Sequence, residues 1–228
     1  MPNAARRQGS LDHLGLAAKQ SKNSHGGVSL GTNSFVGIIE LRARWSAEFA
    51  DTLESITGIR PPKTSPNVGI TKDLSIFWMG PNRWWLVGVE HNLPSVEELL
   101  KNLAAFAVAV TEISEAFSVL TLSGEHARDV LSKGCTIDMH PSATQIESVV
   151  QTNLAKAQVA IYHPKDNAFQ IFVRRSFTEY LWTWLEDASF EYGITKKIPN
   201  PHTKIIIQGL NHVLRTWKDG PRPIKEPL

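Results

Sequence analysis

The chain has 228 residues, of which 42% are hydrophobic and 20% charged, and a formal net charge of +2. A chain of this size buries roughly 70% or more of the surface it exposes when unfolded, so it folds without staples, and its near-neutral charge gives no electrostatic case for nucleic acid or an anionic membrane. The one cysteine, Cys135, excludes an intrachain disulfide and fits a reducing cytoplasm.

Residues 1–34 are rich in Ser, Gly, Asn, Gln and Lys and read as an arm, either flexible or ordered by a partner. Arg6 and Arg7 are not followed by an apolar stretch, so no secretory signal is read there. A domain is expected over 35–195. Phe35 to Arg44 mixes β-branched residues with alternation, which predicts a strand. Phe49, Leu53 and Ile56 then fall at helical spacing, with Ser46 placed to cap and Gly58 to end the helix. Pro61-Pro62 prevents its restart. Two apolar runs, Leu74 to Met79 and Trp84 to Val89, flank Gly80-Pro81-Asn82 and predict a hairpin.

Ser95 opens a second helix over 95–106, and 107–114 and 117–124 read as strands. The longest apolar run, Leu103 to Val110, is too short to cross a bilayer. A third helix is predicted over 123–133, with Ala127, Val130 and Leu131 buried and Gly134 closing it. Residues 151–164 and 168–175 suggest a hairpin through Pro164 to Asn167. A fourth helix spans Ser176 to Glu186, with Phe177, Tyr180, Leu181, Trp184 and Leu185 on its apolar face. From residue 196 proline rises, and 196–228 reads as a C-terminal arm. Helices alternating with antiparallel hairpins imply an α+β fold, antiparallel sheets with packed helices.

The usual chemical signatures are missing. There is no Gly-rich dinucleotide turn, no Walker loop and no paired-histidine zinc motif. Three constellations remain. Cys135 lies close to Asp138 and His140, a spacing that could place a nucleophile beside its base; Met139 and Pro141 favour a packed turn instead. Arg174 and Arg175 could clamp a carboxylate or phosphate, but strand neighbours face opposite sides, which favours separate ion pairs. Seven tryptophans include the pairs Trp84 with Trp85 and Trp182 with Trp184. Trp84 and Trp85 occupy opposite faces of a strand, so one is core and the other must be covered by something, while on the helix Trp184 fits the apolar stripe and Trp182 falls outside it. That pattern favours a protein interface over a stacked ligand.

Three passages carry a family resemblance: GPNRWWLVG at 80–88, LSGEHARDVLSKGCTIDMHP at 122–141, and QTNLAKAQVAIYH at 151–163 followed by FVRRSFTEYLWTWLEDA at 172–188. Together they resemble the gamma subunit of heterotetrameric sarcosine oxidase. The resemblance implies a fold like the folate-binding domain of glycine-cleavage aminomethyltransferases, and an assembly with alpha, beta and delta chains that demethylates sarcosine to glycine. The one-carbon unit would pass to tetrahydrofolate or leave as formaldehyde. It also implies that FAD, FMN, NAD, zinc and tetrahydrofolate sit elsewhere in the complex. No catalytic, cofactor-binding or metal residue is carried over to this chain.

The chain departs from the pattern at Asn153, where arginine is more usual, and in the length of both arms. Two other readings stand beside the first. N-methylglutamate dehydrogenase uses a similar four-chain architecture, and this could be its gamma-like subunit. An autonomous folate-binding protein would need a pocket for tetrahydrofolate and ordinarily a longer chain.

Overall fold

The computed structural model describes residues 9–15, 26–33 and 35–197. It is an α+β fold of four layers, helices outside and two sheets within. One sheet holds β1 (Val28–Asn33), β7 (Phe117–Ser123), β8 (Ser148–Leu154), β9 (Ala157–Lys165), β10 (Ala168–Arg174) and β11 (Ile194–Lys197), in the order β11-β1-β7-β10-β9-β8. The other holds β2 (Val36–Ala43), β3 (Val68–Ile70), β4 (Leu74–Gly80), β5 (Arg83–Val89) and β6 (Val108–Glu112), in the order β3-β4-β5-β2-β6. Pairing is antiparallel except between β1 and β11, which run parallel.

The layering follows from strand alternation. On β5, Trp84 and Leu86 face the helices α1 (Ala47–Thr57) and α2 (Val96–Asn102), packing with Phe49, Leu53 and Leu99. Trp85 and Val87 face the other sheet, against Val119, Ala160, Tyr162 and Phe172. The outer face of the six-stranded sheet carries α3 (Ala127–Ser132) and α4 (Thr178–Ser189) over Leu122, Ile161 and Ile171. Each fully buried large side chain in these layers contributes roughly 1.5–3 kcal/mol.

The capped helices form where their signals lie. Ser46 accepts from the N–H of Phe49 and Ser95 from that of Glu98, while Gly58 takes the left-handed conformation at φ 71°. The second helix ends at Asn102, well before Phe106.

Several expectations are corrected. Residues 28–33, assigned to a flexible or partner-bound arm, form β1 inside the sheet, and Leu11 packs into the core beneath α4. Residues 196–197 belong to β11. The rest of the C-terminal arm, 198–228, and residues 1–8 and 16–25 lie outside the described residues. Residues 151–164 are not one strand: β8 and β9 form a tight hairpin at Ala155-Lys156, with Ala155 at φ 52°. The third helix is shorter than predicted, and Gly134 does not end it in a left-handed turn. Gly134 is needed for space, since a Cβ there would lie 2.5 Å from Cζ2 of Trp184.

Candidate functional site

The sheets pack tightly through Val87, Phe77, Tyr162 and Phe172 but separate at one end. The gap is a cleft of about 450 Å³ between β4–β5 on one side and β7–β10 on the other. Alternation explains its chemistry. Along β2, β5, β8, β9 and β10 the position facing the opposite sheet changes from apolar to polar at one level. Ile38 gives way to Glu40 and Arg42, Trp85 to Arg83, Val149 to Gln151 and Asn153, Ala160 to Gln158, and Phe172 to Arg174.

Glu40 anchors one wall. Its side chain is only 12% exposed and accepts from Nε and Nη2 of Arg83 at 2.7 and 2.6 Å. Arg42 donates to it through both Nε and Nη2 at 2.7 Å, and the Trp85 indole N–H at 3.1 Å. Burial alone would raise this carboxyl's pKa; the hydrogen bonds from Trp85, Arg83 and Arg42 outweigh it and hold the group below its ordinary value.

On the other wall the Arg174 guanidinium lies over the Phe117 ring, 4.8 Å from its centroid. Phe117 in turn packs edge-on to Trp85 at 4.7 Å. No carboxylate among the described residues pairs with Arg174. Gln151 spans the gap, donating from Nε2 to the Met79 carbonyl at 2.9 Å.

The passages that carry the family resemblance meet at this cleft. Arg83 and Trp85 come from the first, Thr136 and Ile137 from the second, and Gln151, Asn153, Gln158, Phe172 and Arg174 from the third. Asn153, where the chain departs from the pattern, is on its wall.

The predicted constellations come apart. Cys135 is half-buried, with Sγ 3.9 Å from Oγ1 of Thr152. His140 is held within its own loop: its backbone N–H donates to Asp138, and Nδ1 pairs with the Ser142 hydroxyl at 2.7 Å. Arg175 turns away from Arg174 to pair with Glu115 at 2.7 Å. Among the described residues no group of three or more His, Cys, Asp or Glu could hold a metal ion. No helix among them is long and apolar enough to cross a membrane.

The tryptophans correct the interface expectation. Trp84, Trp85 and Trp182 are each at most 2% exposed, buried within this chain. On α4 the stripe is rotated from the predicted one: Trp182 lies in the core, with its indole N–H donating to Glu186, while Tyr180 and the preceding Phe177 are exposed and Trp184 is half-buried. Glu40, Gln151 and Gln158 were not singled out from sequence. Their signal is a polar residue in register with an inward-facing apolar one two positions away.

A model of the sarcosine oxidase gamma subunit family matches residues 46–191. The sarcosine oxidase gamma subunit of Corynebacterium sp. strain P-1 is 30% identical over 188 residues, 82% of this chain and 92% of that one. In structure, a chain of the heterotetrameric sarcosine oxidase from Corynebacterium sp. U-96, solved with pyrrole 2-carboxylate, superposes with a TM-score of 0.73 at 28% identity, over 82% of this chain and 96% of that one. The glycine cleavage system aminomethyltransferase T of Bartonella henselae gives a TM-score of 0.56 at 14% identity, over 76% of this chain and 48% of that chain, a likeness of fold.

Proposed function

Because the chain belongs to the sarcosine oxidase gamma subunit family, we propose that it is the gamma subunit of a heterotetrameric complex that oxidatively demethylates sarcosine to glycine. Its partners are the alpha, beta and delta chains, and its compartment is the reducing cytoplasm. The carrying observation is the near full-length match to a chain of a heterotetrameric sarcosine oxidase, at both sequence and fold level.

In this reading the chain builds the assembly and does not perform its chemistry. Support comes from the arrangement of its reactive side chains. Cys135 faces a threonine hydroxyl, and His140 closes a local loop rather than reaching the thiol. FAD, FMN, NAD, zinc and tetrahydrofolate belong to the other chains, where they supply the oxidation and one-carbon chemistry. This chain would contribute a rigid four-layer scaffold with Trp84, Trp85 and Trp182 packed inward.

The test is co-expression with the alpha, beta and delta chains of such a complex. The chain should co-purify in constant ratio with the flavin-bearing chains, and sarcosine should reduce the flavin of the complex. Isolated, it should carry no flavin absorbance. Sarcosine oxidation by the isolated chain would overturn the reading, as would a complex of full activity and stability assembled without it. A complex active on N-methylglutamate but not on sarcosine would move the chain to that related enzyme.

A further inference from the structure

We propose that the arginine-bearing face of β2 and β5, where it continues out of the cleft, docks an acidic segment of a partner chain of the complex. The proposal rests on the subunit reading and deepens it, naming the surface and the chemistry of what meets it.

Beside the cleft lies an open hollow of about 480 Å³ bordered by Arg42, Arg44, Asn82, Arg83 and Ala107. Arg83 borders both spaces and joins them into one surface. The backbone holds that surface in place. Asn82, in the β4–β5 turn, accepts from the N–H of Ala43 at 3.1 Å through its backbone carbonyl and from that of Trp45 at 3.0 Å through its side chain. The turn is thereby fastened to the end of β2. Arg42 and Arg83 stand directly opposite each other on the two strands, an arrangement that repels unless an acid intervenes, and Glu40 accepts from both.

Charge sets the partner. Arg42, Arg44, Arg83 and Arg174 border the two spaces, and no Asp or Glu does. That is a local concentration of cations in a chain whose net charge is only +2. Arg42 and Arg83 meet Glu40 through Nε and Nη2, which leaves Nη1 of each for a further acceptor. Arg44 and Arg174 are exposed, and no carboxylate among the described residues pairs with either. These cations do not converge on one point, since Arg44 borders the hollow and Arg174 the cleft. The group they fit is therefore extended and carries several carboxylates, unlike a single small anion. Asn153 and Gln158, opposite each other on β8 and β9 and both exposed, add amide groups able to bond a peptide backbone. An acidic stretch of polypeptide meets all of these features at once.

The test is co-expression of the complex with two differently tagged copies of this chain, wild type and Arg44→Glu/Arg174→Glu, competing for the same partner chains. Both arginines are exposed and without an acid partner in the chain, so the variant should keep the wild-type unfolding midpoint. It should enter the complex roughly 10- to 100-fold less than wild type, and what does enter should be released by a salt wash that wild type survives. Lys72→Glu/Lys101→Glu, an equal change of charge at exposed positions outside both spaces, should be taken up as wild type. A photo-crosslinking residue in place of Gln158 should capture a partner-chain peptide that carries several Asp or Glu. Equal uptake of the arginine variant, equal exclusion of the lysine variant, or a cross-link to this chain, to a second copy of it or to a peptide without acids would each overturn the proposal. In all of those cases wild type still co-purifies with the complex. If wild type itself does not, the subunit reading has failed and takes this proposal with it.

Discussion

Nη2 of Arg128 donates to Nε2 of His163 at 3.1 Å, and on the far side of the ring Nδ1 donates to the Gln145 carbonyl at 2.9 Å. These two bonds fix the imidazole as neutral, with its proton on Nδ1. The pair sits under α3: Arg128 is 8% exposed, also bonds the Met139 carbonyl, and lies over the Phe169 ring on which His163 stacks. Asp166, 3.5 Å from Arg128, is the nearby acid.

From that geometry follows a pH dependence. Burial, with the Arg128 charge added, lowers the His163 pKa below its ordinary 6.5, against the smaller upward pull of the Gln145 carbonyl and Asp166. The folded state therefore binds fewer protons than the unfolded state below about pH 6.5. Stability is fully present above that value and declines as pH falls from it toward the folded pKa. Thermal unfolding followed from pH 7 to pH 5 should show this decline, and His163→Gln, which keeps a donor and an acceptor but does not titrate, should make it shallower. An unchanged slope in the variant would refute the assignment.

Glu40 gives a second prediction at the cleft. Glu40→Gln leaves Arg42 and Arg83 without their shared acid and should cost about 1–3 kcal/mol in urea unfolding. Arg83→Gln in the Glu40→Gln background should then cost little more, since the partners act as one unit. Its sign with pH runs as for any depressed carboxyl: the contribution is present above about 4.5 and is lost as pH falls through the folded value. Simple additivity of the two substitutions would count against the network.

How much of this was legible beforehand depended on whether the signal was local. Ser46, Ser95 and Gly58 act through neighbouring backbone, so the first two helices could be read from a few residues. Strand β1 could not, because VSLGTN owes its place to β7 and β11, remote in sequence. The Ala155-Lys156 turn was hidden for another reason: a left-handed alanine is rare, and nothing but the surrounding hairpin enforces it. The tryptophans misled because exposure was inferred from one helix period and one strand, when a second sheet of the same chain covers Trp85 and the sheet beneath α4 covers Trp182. The cleft itself required knowing which strands face each other; its polar positions look like ordinary solvent-facing residues until the two sheets are stacked.

The tryptophan reassignment predicts a division of effects. Trp85→Ala and Trp182→Ala remove fully buried rings and should destabilise the isolated chain by about 3–5 kcal/mol. Tyr180→Ala, on the exposed side of α4, should cost far less in denaturant. Equal, small losses for all three would mean that the indoles are not core residues.

The contact between Gly134 and Trp184 offers the sharpest steric test. Gly134 is not in a left-handed conformation, so an alanine there meets no backbone penalty. It meets the indole, with Cζ2 at 2.5 Å and Cη2 at 2.7 Å, and the backbone nitrogen of Ala155 at 3.2 Å. The Gly134 carbonyl also accepts from that Ala155 N–H at 2.9 Å, which ties the end of α3 to the β8–β9 turn and limits how far either can retreat. Gly134→Ala should therefore destabilise by about 1–3 kcal/mol through overpacking. Shortening the ring side, as in Trp184→Leu, should restore much of that loss in the double variant although it costs stability alone, a coupling that urea unfolding of the four proteins would measure. Additive losses would show that the glycine is required by the backbone contact with Ala155 and not by the indole.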